Sequence, residues 1–189
     1  SKIKRALDST QQLIMIVNEF LDVAQYAVGK ELMGKKEVVI EDIIQEATNE
    51  LKPEIENSGL YLNFERVSGV FHRVKIDPAE IKEAIYNIIN NATKYTKTGG
   101  ITISLERKAK SVIVIIKDTG IGMTEKEIDN LFERAFERGE AAKKIYATGR
   151  GIGLYLASQI VKAHQGKLWA ESEGKDKGSA FFIELPLFA

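Results

Sequence analysis

The chain has 189 residues, 44% hydrophobic and 29% charged, which suits one globular domain with a proper core and some length to spare. Lys and Arg total 27 against 27 Asp and Glu, so no global charge recruits nucleic acid or an anionic membrane. The absence of cysteine excludes disulfides and thiolate zinc sites, and His72 and His164 alone cannot build a histidine-rich metal centre.

The longest apolar runs, such as residues 112–116, are far too short to span a bilayer, and no secretory signal is expected. The expected location is the cytoplasm, whether or not a longer parent is anchored in the inner membrane. The chain starts at Ser1, without methionine and inside a helical pattern, so a piece of a longer protein is expected.

Residues 1–33 read as one long helix. Ile3, Leu7, Thr10, Ile14, Val17, Leu21, Ala24 and Val28 alternate by four and three, the spacing of a coiled-coil seam. Leu13, Ile16, Phe20, Val23 and Ala27 repeat that alternation on an adjacent face. Two adjoining seams need neighbours on two sides, as in a four-helix bundle, unless the row folds back onto the following domain. Gly34, Lys35 and Lys36 form a polar break that reads as a hinge.

Beyond the break, strands and helices alternate. Residues 38–40 read as a short strand, and 41–57 as an amphipathic helix that Pro53 threatens to interrupt. Strands are expected at 61–65 and 70–76. Asp77, Pro78 and Glu80 are a helix opening, cap, first turn and acidic third position, for a helix running to Tyr95. Residues 101–107 and 111–117 predict a hairpin. Thr124 caps a short helix through Phe132, residues 152–164 are helical, and 167–172 with 179–185 close the chain as a second hairpin. The expected architecture is a two-layer α/β (α+β) sandwich: a mixed, mostly antiparallel sheet, helices on one face and a long helix in front.

Four polar and glycine signals carry the chemistry. On the helix ending at Tyr95, Asn87, Asn91 and Lys94 or Tyr95 recur at four and three or four, hence on one face. Amide oxygens are hard, neutral ligands suited to Mg²⁺, which keeps waters and takes phosphate oxygens, and the lysine sets a positive charge nearby. Taken alone, these residues read more readily as a solvated helix face. Asp118 follows the apolar residues 112–116 and precedes Gly120 and Gly122. A carboxylate at a strand end in apolar surroundings can accept a hydrogen bond from an exocyclic amine such as that of adenine, while glycines let the backbone approach a planar ring. An ordinary Asp-Gly turn is the bland alternative.

Between Leu131 and Thr148 the core pattern lapses, and Arg134, Arg138, Lys143, Lys144 and Arg150 offer cations among Glu133, Glu137 and Glu140. A segment of that kind is a lid over a triphosphate or a plain surface loop. Gly149, Gly151 and Gly153 then precede a helix, whose N-terminus presents free amides and a positive dipole end to an anion. No Gly-Lys-Ser/Thr follows, so this is not a Walker A loop.

In this order, these motifs resemble the N, G1, F and G2 boxes of the catalytic and ATP-binding domain of sensor histidine kinases, in the GHKL family of ATPases. The likeness covers residues 38–187, including the stretches 164–172 and 178–181. Residues 1–34 resemble the second helix of the dimerisation and phosphoacceptor bundle, and residues 37–189 the catalytic domain. The resemblance implies Asn87 and Asn91 for Mg²⁺ and phosphates, Lys94 for phosphates, Tyr95 for the nucleotide surroundings and Asp118 for the adenine amine. It places Gly120, Gly122, Thr148, Gly149, Arg150, Gly151, Gly153 and Leu154 around ATP, with either Arg134 or Arg138 on phosphate. Asn87, Asn91 and Lys94 would be the catalytic set.

The F box departs from the family pattern by one extra residue, and Arg150 stands where a small residue is usual. The acceptor histidine of the family lies on the first bundle helix, upstream of Ser1. His164 matches a structural position of the family, and His72 is expected at the surface. The implied activity is transfer of the γ-phosphoryl group of Mg-ATP to a histidine, then to an aspartate of a response regulator. The implied partners are the first helix of the same bundle, a receiver domain and a second copy in a homodimer. The rivals are a non-catalytic nucleotide-binding or docking module and a GHKL ATPase of the chaperone or topoisomerase type.

Overall fold

The computed structural model describes Thr10, Ile14, Val17, Leu21 and residues 23–26, 34–132 and 152–188. The chain divides into two compact units, Ser1–Glu31 and Leu32–Ala189. In the first, the described residues are helical, and Thr10, Ile14, Val17, Leu21 and Ala24 of the first seam are all exposed. The rest of the helix expected over 1–33 lies outside the described residues. Among those described, no helix is long and apolar enough to cross a membrane.

The second unit opens with β1 (Lys36–Val39) and α1 (Ile40–Asn57), followed by β2 (Tyr61–Phe64), β3 (Arg73–Ile76) and α2 (Pro78–Tyr95). Then come β4 (Gly100–Arg107), β5 (Ser111–Asp118), the short α3 (Glu125–Asp129), α4 (Gly153–Ala163), β6 (Lys167–Glu171) and β7 (Ser179–Pro186). Five strands form a mixed sheet in the order β2-β4-β5-β7-β6, in which only the β2–β4 pair is parallel. β1 and β3 form a separate antiparallel pair. Both expected hairpins are present, and the α/β class with a mixed, mostly antiparallel sheet holds.

The period-two pattern of the strands sorts the sheet into two faces. Ile103, Ile116, Phe181 and Ala170 lie side by side in register and are all buried. Next to them, Ile101, Asp118 and Ser179 form a row on that same face. On the other face Ser104, Ile115, Phe182 and Trp169 are only half-buried, with the Trp169 and Phe182 rings stacked at 4.9 Å. Helices α1, α2 and α4 pack on the buried face. Ile81, Ile85, Ile88, Ile89 and Ala92 of α2 form its apolar stripe, each at 1% exposure or less. A fully buried isoleucine contributes about 1.5–3 kcal/mol over an exposed one. The stripe therefore fixes which face of α2, and so which polar residues, turn away from the core.

Several expectations change. Helix α1 runs through Pro53 without interruption, because Pro53 and Asn49 both lie on its exposed side, where a carbonyl deprived of its donor meets water. Strand β3 starts at Arg73 rather than at residue 70, and His72 is not at the surface. At 5% exposure, its Nδ1 lies 2.6 Å from Glu41 Oε1, while its backbone N–H donates to Glu41 Oε2 at 3.1 Å. Helix α3 ends at Asp129, short of Phe132, where Asn130 turns its side-chain amide back onto the Lys126 carbonyl at 2.8 Å. The polar break at Gly34 to Lys36 is anchored to the second unit. Gly34 lies against the Asp77 side chain with no room for a Cβ, Lys35 Nζ donates to the Ala163 carbonyl at 3.2 Å, and Lys36 begins β1.

Helices α2 and α4 are clipped together by His164. Its Nε2 accepts the Asp77 N–H at 3.0 Å, and its Nδ1–H donates to the Ile160 carbonyl at 2.8 Å, a pattern only the neutral ring can make. Burial lowers its pKa below the ordinary 6.5, with Lys35 adding to that and the Ile160 bond, Asp77 and Glu80 opposing it. Because the folded pKa is depressed, this contribution to stability is complete above about pH 6.5 and is lost as pH falls below it. Urea unfolding at several pH values is expected to show stability declining below that point, and His164→Ala to flatten the decline. An identical slope in the variant would count against the clip.

Candidate functional site

The site starts from the register of β5. Counting alternate residues inward from Val112 brings Asp118, the last of the strand, onto the core face at 4% exposure. Its Oδ1 accepts two backbone N–H groups, Gly120 at 2.8 Å and Ser179 at 3.2 Å. Its Oδ2 accepts no hydrogen bond among the described residues. Burial pushes the carboxyl pKa above its ordinary value, and the two N–H donors only partly counter this. A carboxylate held this way has one oxygen committed to the fold and one left for a donor from outside.

The following loop is fixed against two neighbours. Toward α2, the Ile121 N–H donates to the Tyr95 carbonyl at 3.1 Å, and a Cβ on Gly120 would lie 2.5 Å from that oxygen. Thr96, 6% exposed, sits beside Gly120 with its hydroxyl bonded to the Ala92 carbonyl at 2.9 Å. Toward the β6–β7 turn, Gly178 N–H donates to Gly120 O at 3.0 Å and Asp176 N–H to Ile121 O at 2.7 Å. Gly122 has φ +64, and a Cβ there would run into the Gly174 carbonyl, so only glycine fits.

On α2, Asn87, Asn91, Lys94 and Tyr95 are each half-buried, unlike the fully buried isoleucine stripe. The N-terminus of α4 comes to this face, since a Cβ on Gly153 would sit 3.3 Å from Asn87 Oδ1. Ile152 stands at the cap position of α4 and its side chain makes no cap hydrogen bond to the first-turn amides. Leu154, next along, is half-buried. The structure thus brings Gly153 to Asn87 and Gly120, beside Asp118, to the Tyr95 end of α2, while Gly122 lies against the β6–β7 turn. Arg134, Arg138, Thr148, Gly149, Arg150 and Gly151 lie outside the described residues.

Among the described residues, no group of three or more His, Cys, Asp or Glu could hold a metal. A metal here would rely on neutral amide oxygens, a donor set that fits an ion taking its charge balance from phosphate. Neither histidine belongs to the site. His72 joins α1 to β3, and His164 joins the two helices at the far end of α2 from Lys94.

Sequence reading assigned no task to Ser172, Gly178 or Ser179, although the backbone of Ser179 holds Asp118. The Lys175 to Gly178 stretch reads as an ordinary hairpin turn, and nothing local shows that it docks on residues 120–123.

Residues 76–189 match the model of the histidine kinase-, DNA gyrase B- and HSP90-like ATPase family, and the chain belongs to that family. The adaptive-response sensory kinase SasA of Synechococcus sp. (strain JA-3-3Ab) is 30% identical over 187 residues, which make up 98% of this chain and 48% of SasA. The chain therefore spans about half of the length of that relative. Full-length ShkA in complex with AMPPNP superimposes with a TM-score of 0.82 at 23% identity, over 95% of this chain and 37% of ShkA. Histidine kinase ThkA in complex with the response regulator protein TrrA gives 0.74 at 23%, over 95% of this chain and 49% of that one. At those identities the two structures establish a shared fold.

Asp118 yields a stability prediction. An acid whose folded pKa is raised loses stability as pH rises from its unfolded value, 3.8, through the folded one, and carries the full penalty above that. Asp118→Asn keeps an acceptor for Gly120 and Ser179 without the buried charge. At pH 7 its urea midpoint is expected to equal or exceed that of the wild type, and a clear drop would show that the charge supports the fold.

Proposed function

We propose that this chain is the ATP-binding catalytic portion of a two-component sensor histidine kinase, with the C-terminal helix of its dimerisation and phosphoacceptor bundle attached. In this reading residues 1–34 are the bundle helix and residues 37–189 the catalytic domain. The observation that carries it is Asp118, a buried carboxylate kept at the edge of the core with one oxygen uncommitted. Family membership and the kinship with a sensory kinase support the same reading.

Asp118 Oδ2 accepts the adenine 6-amino group, and the backbone of Gly120 and Gly122 faces the ring. Tyr95 lines the nucleotide. Asn87 and Asn91 hold Mg²⁺, which when bound neutralises charge on the phosphates. Lys94 and the amides at Gly153 and Leu154 take phosphate oxygens, joined by Gly149, Arg150, Gly151, Thr148 and either Arg134 or Arg138 from the segment between α3 and α4. Catalysis by such a set consists of positioning and charge compensation. The attacking imidazole uses its own lone pair, so this domain needs no strong base.

The acceptor histidine belongs to the first bundle helix, outside this chain. The exposed Ile14, Val17 and Leu21, at 55%, 55% and 50%, support residues 1–34 as a helix that packs on bundle partners in a homodimer. A response regulator receiver domain is the onward phosphoryl acceptor. The proposed setting is cytoplasmic, with or without a membrane anchor on the parent.

Two measurements test this. Calorimetric titration with Mg-ATP is expected to show Asp118→Ala losing about 1.5–3 kcal/mol of binding, the scale of a charged hydrogen bond. Unchanged affinity in a folded variant contradicts the role of Asp118. Incubated with γ-labelled ATP, the chain alone is expected to stay unlabelled, and an added peptide carrying the first bundle helix to acquire acid-labile phosphate on histidine. Binding without transfer in that mixture would favour a non-catalytic module.

A further inference from the structure

Ser172 follows β6 and lies partly buried under the loop that trails Asp118. Its Oγ accepts the Met123 N–H at 3.0 Å and the Gly174 N–H at 3.3 Å, and its hydroxyl proton goes to the nearer of two carbonyls, Gly178 at 2.7 Å rather than Gly174 at 3.3 Å. That last bond has a consequence at the site. The Gly178 carbonyl and the Ser179 N–H belong to one peptide group, and this N–H is the donor that holds Asp118 Oδ1 at 3.2 Å. One residue back, the Gly178 N–H donates to the Gly120 carbonyl at 3.0 Å, while the Gly120 N–H is the second donor to Oδ1, at 2.8 Å.

Both arms that grip the carboxylate therefore pass through the turn that Ser172 closes. Gly178 has φ +70, and a Cβ on it would strike the Asp118 carbonyl, so this peptide is admitted in one conformation that only glycine takes. A hydrogen bond to the carbonyl of a peptide polarises that peptide and strengthens the bond its N–H makes. The hydroxyl thus acts on Asp118 from one peptide away.

We propose that Ser172 is a positioning residue for base recognition: its hydroxyl orients the Gly178–Ser179 peptide and the Met123 end of the loop so that Asp118 Oδ2 faces a 6-amino purine. The proposal rests on the reading of Asp118 as the base-binding carboxylate. A residue that only supports the fold changes affinity for all nucleotides alike. One that aims Asp118 changes the discrimination between adenine and a purine bearing a carbonyl at the same position.

The test is calorimetric titration of the full 189-residue chain with Mg-ATP and Mg-ITP, in wild type, Ser172→Ala, Ser172→Thr and Asp118→Asn. The wild type is expected to favour ATP. Ser172→Ala is expected to shrink the ATP-to-ITP affinity ratio about 3- to 10-fold, the scale of one neutral hydrogen bond, and Ser172→Thr, which restores a hydroxyl, to keep a ratio nearer the wild type. An unchanged ratio in Ser172→Ala, including one in which both affinities fall together, overturns the proposal. So does an equal loss in the Ala and Thr variants, which assigns the effect to packing. A wild type that binds both nucleotides alike, or an Asp118→Asn ratio equal to that of the wild type, instead removes the base-binding reading of Asp118 and this proposal with it.

Discussion

One carboxylate, enclosed at the end of a central strand, sets the terms for the rest of the structure. Ionised groups are disfavoured in apolar surroundings, and burial raises the Asp118 pKa despite two backbone donors on Oδ1. A fold seeking only stability would place an apolar or amide side chain there. Instead the sheet row Ile101–Asp118–Ser179 brings the charge onto the core face, and two glycine-bearing segments are bent around it. Gly122 and Gly178, both at positive φ, make room for carbonyls that no larger residue would clear. A buried carboxylate that opposes folding yet is held this firmly is what the proposed binding role requires.

The two halves of the site depend on one helix. Helix α2 carries the amides and Lys94 along its polar face and, at its C-terminal end, receives the Asp118 loop through the Tyr95 carbonyl. Its opposite end is fixed by the Asp77 cap and by His164, which sets α4 beside it so that Gly153 meets Asn87. The spacing between Asn87 and the Asp118 loop is thus governed by a rigid element rather than by a loop. His164 serves this scaffolding and His72 ties α1 to the start of β3, an arrangement that fits the proposal of an acceptor supplied from elsewhere.

Much of this was legible from residue order. The spacing of Asn87, Asn91 and Lys94 on a helix with an isoleucine stripe identified their common face, and the apolar residues before Asp118 anticipated its burial. Pairing between distant segments left no local trace. The parallel β2–β4 contact, the Glu41–His72 bond across 31 positions and the grip of the 172–178 turn on residues 120–123 are long-range events. His72 was misplaced for that reason: an isolated polar residue beside Val70 and Phe71 gives no sign of a carboxylate waiting on another element. Ser172 escaped similarly, because a serine before a glycine turn is ordinary until its hydroxyl is seen on the peptide behind Asp118.

In the proposed reading, Asp118 Oδ2 is reserved for the amino group of a bound purine while Asn87, Asn91 and the start of α4 face its phosphates. A crystal structure of the chain with Mg²⁺ and a non-hydrolysable ATP analogue tests it most directly. The 6-amino nitrogen is expected at hydrogen-bond distance from Oδ2 and the phosphates along the polar face of α2. A nucleotide whose base lies away from Asp118, with Oδ2 bonded to protein or solvent alone, would contradict it.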